Sequence, residues 1–196
     1  LSQVNAAKVY RYLPLGLEKP VRDYLRESIV GGVVVAGKIK VKGPLALFPF
    51  TQPKQGELQV SASLKDITYA YSPSSLMPAG SLPWPPLTQL SGELSIDQSV
   101  LHVKGARALV TGLGGLQVTK AEAEIRNLYN GATLAVSAEA RGPLAEIVSL
   151  VNTSPLSGMT SKVLARATAT GPADYRFKIG FPLAAVDHAT VQGSIA

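Results

Sequence analysis

From Val33 onward, apolar and polar residues alternate along the chain with a period of two, and that alternation leaves few folds open. Successive side chains of a strand point to opposite faces of a sheet, so a period of two marks strands with one apolar and one polar face. Gly37, Ile39 and Val41 alternate with Lys38, Lys40 and Lys42. Leu58, Val60, Ala62 and Leu64 alternate with Glu57, Gln59, Ser61 and Ser63. The phase slips at Lys65-Asp66, as at a β-bulge, and Ile67, Tyr69 and Tyr71 resume it. Leu94 and Ile96, then Leu101 and Val103, flank Asp97-Gln98-Ser99 in the pattern of a hairpin. Leu116 and Val118 are followed by Ala121, Ala123 and Ile125, which alternate with Glu122, Glu124 and Arg126. Asn130-Gly131 is a strong hairpin-turn signal, and Ala132, Leu134, Val136, Ala138 and Ala140 come after it. Tyr175, Phe177, Ile179 and Phe181 form the last clear set. Consecutive strands joined by short turns predict an antiparallel meander with one apolar and one polar face.

Residues 1–32 read as a helical segment and residues 33–196 as the sheet. Val4 to Leu13 predicts a short helix stopped at Pro14. A second helix opens at Pro20, with Val21, Tyr24, Leu25, Ser28 and Ile29 on one side and Arg22, Asp23, Arg26 and Glu27 on the other. Gly31-Gly32 is expected to close it as a C-cap pair. Two interruptions break the meander. Ser72 to Pro86 is a proline-rich extended loop carrying Trp84, and Leu144 to Val151 is a short inserted helix with Leu144, Ile147, Val148 and Val151 on one face. Gly43-Pro44 and Gly142-Pro143 are each expected to close a strand, with Gly171-Pro172 as an echo, since proline cannot donate to another ladder bond. The fold class is therefore mainly β: a curved, mostly antiparallel sheet with an N-terminal helical hairpin and one short inserted helix.

The composition removes most function classes. Hydrophobic residues make up 46% of the chain and charged ones 16%, and the mean hydropathy is +0.18, which is too apolar for a disordered segment. Aromatic residues are only 6%, so the apolar face is aliphatic. There is no cysteine and there are two histidines, His102 and His188, so neither a disulfide framework nor a transition-metal site is expected. No apolar run reaches the roughly 18 residues of a membrane span, and the N-terminus has no leader pattern, so the chain reads as an internal segment whose anchor lies outside it. The net charge is +6, but the basic residues are scattered without interleaved aromatics, which argues against nucleic acid. Glu122 and Glu124 stand among Lys120 and Arg126, a solvated mixed-charge face rather than an acid/base pair. Gly112-Leu113-Gly114-Gly115 lacks the lysine of a phosphate loop and reads as a turn. The expectation is a protein that is not an enzyme and carries no cofactor.

The residues alone leave two readings of the apolar faces open: an ordinary closed core, or an exposed concave face filled with lipid. Several motifs in order bear on the choice. They are Tyr12-Leu13-Pro14, Pro20-Val21-Arg22-Asp23-Tyr24-Leu25, Gly31-Gly32, and Gly43-Pro44-Leu45-Ala46-Leu47-Phe48-Pro49-Phe50. After them come Leu82-Pro83-Trp84-Pro85-Pro86-Leu87, Leu90-Ser91-Gly92-Glu93-Leu94, Asn152-Thr153-Ser154-Pro155-Leu156 and Gly180-Phe181-Pro182-Leu183. Over nearly the whole chain this set resembles the middle periplasmic region of YhdP-like members of the AsmA/TamB family, which are similar to bridge-like lipid transfer proteins. The resemblance implies an inner-membrane-anchored parent extending across the periplasm of a Gram-negative bacterium, with repeated sheet units forming an apolar-lined trough. Phospholipid acyl chains, neighbouring segments of the same long chain, and the membrane through regions outside this one are the implied partners. The residues expected to line the trough are Ile39, Val41, Leu58, Val60, Leu64, Leu94, Ile96, Leu101, Val103, Leu134, Val136, Phe177 and Ile179. The alternatives are a scaffold domain in envelope assembly with a closed dry core, and, more remotely, a hydrolase with no nameable nucleophile.

Overall fold

The computed structural model describes residues 2–13, 19–52, 54–159, 166–185 and 188–196, the side chains at 158 and 159 excepted. Its strands form one antiparallel sheet in which spatial order is sequence order. They are β1 (Ser2–Asn5), β2 (Ile29–Lys42), β3 (Glu57–Tyr69), β4 (Leu87–Asp97), β5 (Val100–Val110), β6 (Leu113–Arg126), β7 (Thr133–Pro143), β8 (Pro172–Pro182) and β9 (Thr190–Ile195). The meander expected from the period-two pattern is the fold. The hairpin around Gln98 is present, with Gln98 at φ 52° in the left-handed region that a tight turn demands. Gly131 likewise turns β6 into β7 at φ 68°.

The register is interrupted along a line. β3 adds Lys65 and Asp66 between Leu64 and Ile67, β4 shifts around Gln89 and β5 around Gly105, and β6 shifts between Val118 and Lys120. Asp66, Gln89 and Gly105 have φ of 53°, 51° and 58°, the left-handed bulge residue that bends a strand and increases its twist. β7 and β8 pair without a shift over their whole length. The bulges thus cross the sheet near the upper ends of β3 and β4 and midway along β5 and β6, and divide it into an upper half, toward Tyr69, Val110 and Pro143, and a lower half, toward Lys42, Asp97 and Arg126. The sheet is open and uncurled, where a curved, trough-forming sheet was expected, with β1 and β9 as its edges.

Helices gather at the upper end. A 3-10 helix, Ala6–Tyr12, and α1, Lys19–Ser28, make the N-terminal hairpin. Val4 and Asn5, expected in a helix, are instead strand residues: Val4 pairs with Val34 and Asn5 with Val33, and Asn5 then caps the 3-10 turn by accepting a bond from the Ala7 N–H. Ladder pairing with β2 outweighs local propensity there. Pro14, the expected stop, lies outside the described residues. Gly31-Gly32 is not a C-cap. The helix ends at Ser28, Ile29 is already strand, and Gly32 lies inside β2 at φ 111°, where a Cβ would come 2.5 Å from the Ile67 Cα. Glycine is required there by the close approach of β3. The inserted helix is α2, Leu144–Thr153, followed by α3, Leu156–Met159. Leu144, Ile147 and Leu150 of α2 pack against Leu116, Ala140, Ala173 and Tyr175, so Leu150 takes the place in that contact expected of Val148 and Val151. Gly43-Pro44 follows the end of β2 and Pro143 ends β7, but Gly171-Pro172 opens β8 instead of closing a strand.

Candidate functional site: an open aliphatic face

Paired residues across an antiparallel ladder share a face, so the register fixes which side chains stand together. Ile39, Val60, Ile96, Leu101, Ile125, Leu134 and Phe181 are consecutive partners from β2 to β8. Beside them run Gly37, Ala62, Leu94, Val103, Ala123, Val136, Ile179 and Val191, from β2 to β9. Neither row contains a charged or hydrogen-bonding side chain. At about 4.8 Å per strand the longer row extends about 34 Å across the sheet. Of the residues expected to line an apolar surface, Ile39, Val60, Leu94, Ile96, Leu101, Val103, Leu134, Val136 and Ile179 stand in these rows. Val41 and Leu58 pair just below them, and Leu64 and Phe177 just above. All share one face. Ala123, Ile125, Phe181 and Val191 complete the rows. The first three were visible in the alternation, whereas Val191 lies on β9, whose short Thr-Val-Gln-Gly-Ser-Ile run gave no strand signal.

Coverage of this face differs between its halves. Above the bulge line Ile67, Ala106, Ala108, Leu116, Ala140 and Tyr175 are buried. Two packed groups account for part of this. Under α2, Leu116, Ala140 and Tyr175 form a dry cluster in which the Tyr175 hydroxyl donates to the Gly142 carbonyl at 3.2 Å. The Glu146 carboxylate fastens α2 to the sheet by accepting from the Gly115 N–H at 2.9 Å and 3.0 Å. Under α1, the Tyr24 and Tyr69 hydroxyls are 2.7 Å apart, Tyr24 donates to the Tyr71 carbonyl, and the Tyr71 and Trp84 rings lie 6.0 Å between centroids. Burial drives the Tyr69 phenol well above its ordinary range and pushes Tyr71 up to about 12. Below the bulge line Leu58 and Ala138 are the buried residues of this face among those described. The remaining row residues are half-buried or exposed, Ile39 at 59% and Val191 at 61%. No second sheet lies over them among the described residues.

The opposite face is polar and charge-balanced. Lys38, Lys40 and Lys42 stand on it, opposite Ser61, Gln59 and Glu57. Lys120, Glu139 and Arg176 are successive ladder partners, with Arg176 and Glu139 3.8 Å apart and Arg141 held by Asp174 at 2.6 Å. Two shallow depressions of about 430 Å3 lie on this side, between the long side chains of Lys120, Glu139, Arg176 and Lys178 and around His102, Glu124 and Gln192. They are gaps between standing charged residues. His102 is 3.4 Å from Glu124, which also pairs with Arg126, and Glu122 pairs with Lys120 at 3.5 Å. These groups neutralise one another on a wet surface and are not arranged around a reacting atom.

A family model described as YhdP protein matches residues 1–196. The chain belongs to the YhdP family. That family is AsmA-like and is not a known enzyme family. No curated protein and no solved structure matches the chain. Among the described residues of this YhdP-family sheet no helix is long and apolar enough to cross a membrane. What the sheet does offer is a wide aliphatic surface half open to water. Its backbone N–H and C=O groups point along the ladder and not out of the face.

Proposed function

We propose that this YhdP-family sheet is a segment of a periplasmic lipid conduit that carries phospholipid between inner and outer membrane, its acyl chains lying on the open apolar rows. The observation that carries the proposal is the unbroken pair of rows, one from β2 to β8 and the other from β2 to β9, without a polar side chain and, among the described residues, without a covering layer. Folded proteins seldom leave so large a contiguous apolar surface uncovered unless something binds it. Acyl chains need a dry aliphatic contact and no directed hydrogen bond, and each methylene removed from water contributes about 0.8 kcal/mol. On this reading the parent protein lies in the periplasm, anchored in the inner membrane through regions outside these residues. Neighbouring segments of the same chain continue the surface.

The test is native mass spectrometry of the purified chain. Phospholipid bound at low stoichiometry, and lost in a variant that puts charges into the rows, is the expected result. A chain that carries no lipid after exposure to phospholipid vesicles, while folded, would favour the scaffold role in envelope assembly.

A further inference from the structure

The charge of the chain is concentrated. Residues 1–65 hold ten Lys and Arg against four Asp and Glu, whereas residues 66–196 hold nine against nine, so the whole net +6 belongs to the first third. In the fold that third is one edge of the sheet, formed by β1 to β3 and the N-terminal hairpin. The same edge carries much of the exposed apolar surface: Val30, Val35, Ile39, Val41, Leu45 and Leu47 are all more than a third exposed.

The two properties meet at its lower corner. β1 pairs with β2 at Val33, Val34 and Ala36, and Lys38, Lys40 and Lys42 carry β2 on beyond those pairs. Beyond them the chain leaves the sheet into a 3-10 turn, Leu45–Leu47, with Leu45 74% and Leu47 47% exposed. The turn is not loose. Phe50, 5% exposed, is wedged beside Gly43 and Gly56, where an added Cβ would come 3.2 Å and 2.6 Å from its ring. It makes an edge-on contact with Phe48. Lys42 and Lys54 flank the turn, whose ends meet where an added Gly43 Cβ would come 2.8 Å from the Gln55 carbonyl oxygen, and both, like Lys38 further back along β2, are exposed and in no ion pair among the described residues, while Lys40 pairs with Glu57 at 2.7 Å. A packed turn with exposed leucines between exposed lysines combines two requirements. It needs an apolar phase for the leucines and a dense array of negative charge beside it.

We propose that this corner docks on the surface of a bilayer containing anionic phospholipid, with Leu45 and Leu47 entering the boundary below the headgroups and Lys38, Lys42 and Lys54 against lipid phosphates. A second copy of the chain is a poorer occupant, because an isologous contact would bring two positive corners together. The docking does not depend on the conduit reading. It uses a loop and the end of β2, whereas acyl chains on the rows use the interior of the face.

The test is co-sedimentation of the chain with vesicles of phosphatidylcholine alone, and with vesicles in which phosphatidylglycerol is about a third of the lipid. Binding to the anionic vesicles only, weakened by salt, is expected. Lys42→Glu with Lys54→Glu should lower partitioning by about tenfold or more. Leu45→Ser with Leu47→Ser should lower it by about tenfold or more, with circular dichroism unchanged, since both positions are exposed. Equal binding to both vesicle types would overturn the proposal, as would a leucine variant that binds like the parent. Self-association in sedimentation velocity that disappears with the leucines would assign the corner to a second copy instead. Loss of vesicle binding in Val136→Asp would mean that the vesicles are held by the rows and that the corner is not the site.

Discussion

Replacing Val136 by aspartate distinguishes an open apolar face from a closed core, and the fold supplies an internal standard for the comparison. Val136 lies on β7, half-buried, between Ala123 on β6 and Ile179 on β8. Removing a half-buried valine forfeits about 1 kcal/mol of burial, and aspartate in a strand costs about 1 kcal/mol more. Its carboxylate, next to the small Ala123 and with no layer above, can stay hydrated, so the total should be about 2 kcal/mol. Ala140 lies on the same strand and face, but it is 4% exposed beneath Leu144, Ile147 and Leu150 of α2. Ala140→Asp must therefore desolvate an unpaired carboxylate, which costs several kcal/mol. Urea unfolding of both variants, with Glu139→Lys on the polar face as a control expected within about 0.5 kcal/mol, measures the contrast. Val136→Asp should also lose bound phospholipid while remaining folded. A cost for Val136→Asp equal to that of Ala140→Asp would refute the reasoning, because it would mean that the lower half of the face is as dry as the part under α2.

Four further outcomes are expected. Gly142→Ala should cost about 3 kcal/mol in urea unfolding, because its Cβ would come 2.7 Å from the Gly115 carbonyl oxygen and 2.8 Å from the Leu116 Cα, both backbone; a cost below about 1 kcal/mol would mean that β6 and β7 part easily. Tyr71 titrates near 12 because it is buried, so the folded chain holds a proton that the unfolded chain loses near 10. Stability is full below pH 10 and declines as pH rises from 10 toward 12, which phenolate absorbance with parallel unfolding curves will follow. Asp174, held below its ordinary 3.8 by the Arg141 hydrogen bond, stabilises above that value and loses its effect as pH falls through its depressed pKa; its carboxyl carbon resonance should titrate below those of unpaired aspartates, and Arg141→Gln should restore it. Trp84, half-buried against Tyr71 at the helix-covered end, should keep its emission wavelength through a phospholipid titration and resist quenching by brominated acyl chains.

The sheet was legible because its polar groups report one face and its aliphatic groups the other. The turn chemistry of Gln98-Ser99 and Asn130-Gly131 also fixes the strand joints. The bulge at Lys65-Asp66 appeared as a phase slip for the same reason. What could not be read depends on pairing between distant residues. Ser2–Asn5 is a strand only because β2 offers it an edge at Val33, Val34 and Ala36. Gly32 looks like a helix cap until the Ile67 backbone is placed 2.5 Å from its missing Cβ. β9 has two separated aliphatic residues and becomes a strand by pairing Val191 with Ile179 and Ile195 with Tyr175. The candidate surface was legible as a set of residues. Which half of it stays open was not, because coverage depends on where α1 and α2 land.

Placing the helices at one end has a consequence for movement along the sheet. A molecule lying across the lower half meets the same kind of contact at each strand from β3 to β7: an aliphatic residue from each row, no charge, and a backbone already satisfied within the ladder. Translation by one strand spacing exchanges methylene contacts of about 0.8 kcal/mol each for equivalent ones, so the free energy along the rows is nearly level. A buried polar partner or an aromatic pocket would instead create a site that a lipid leaves slowly. The aromatic side chains that could do this, Tyr24, Tyr69, Tyr71, Trp84 and Tyr175, lie above the bulge line, packed under or beside helices. In the rows only Phe181 is aromatic, paired with Leu134 near the β9 edge. Strong local contacts are therefore kept where the fold is held together, and the open half of the face is left smooth. That division is what a surface for passing acyl chains along requires.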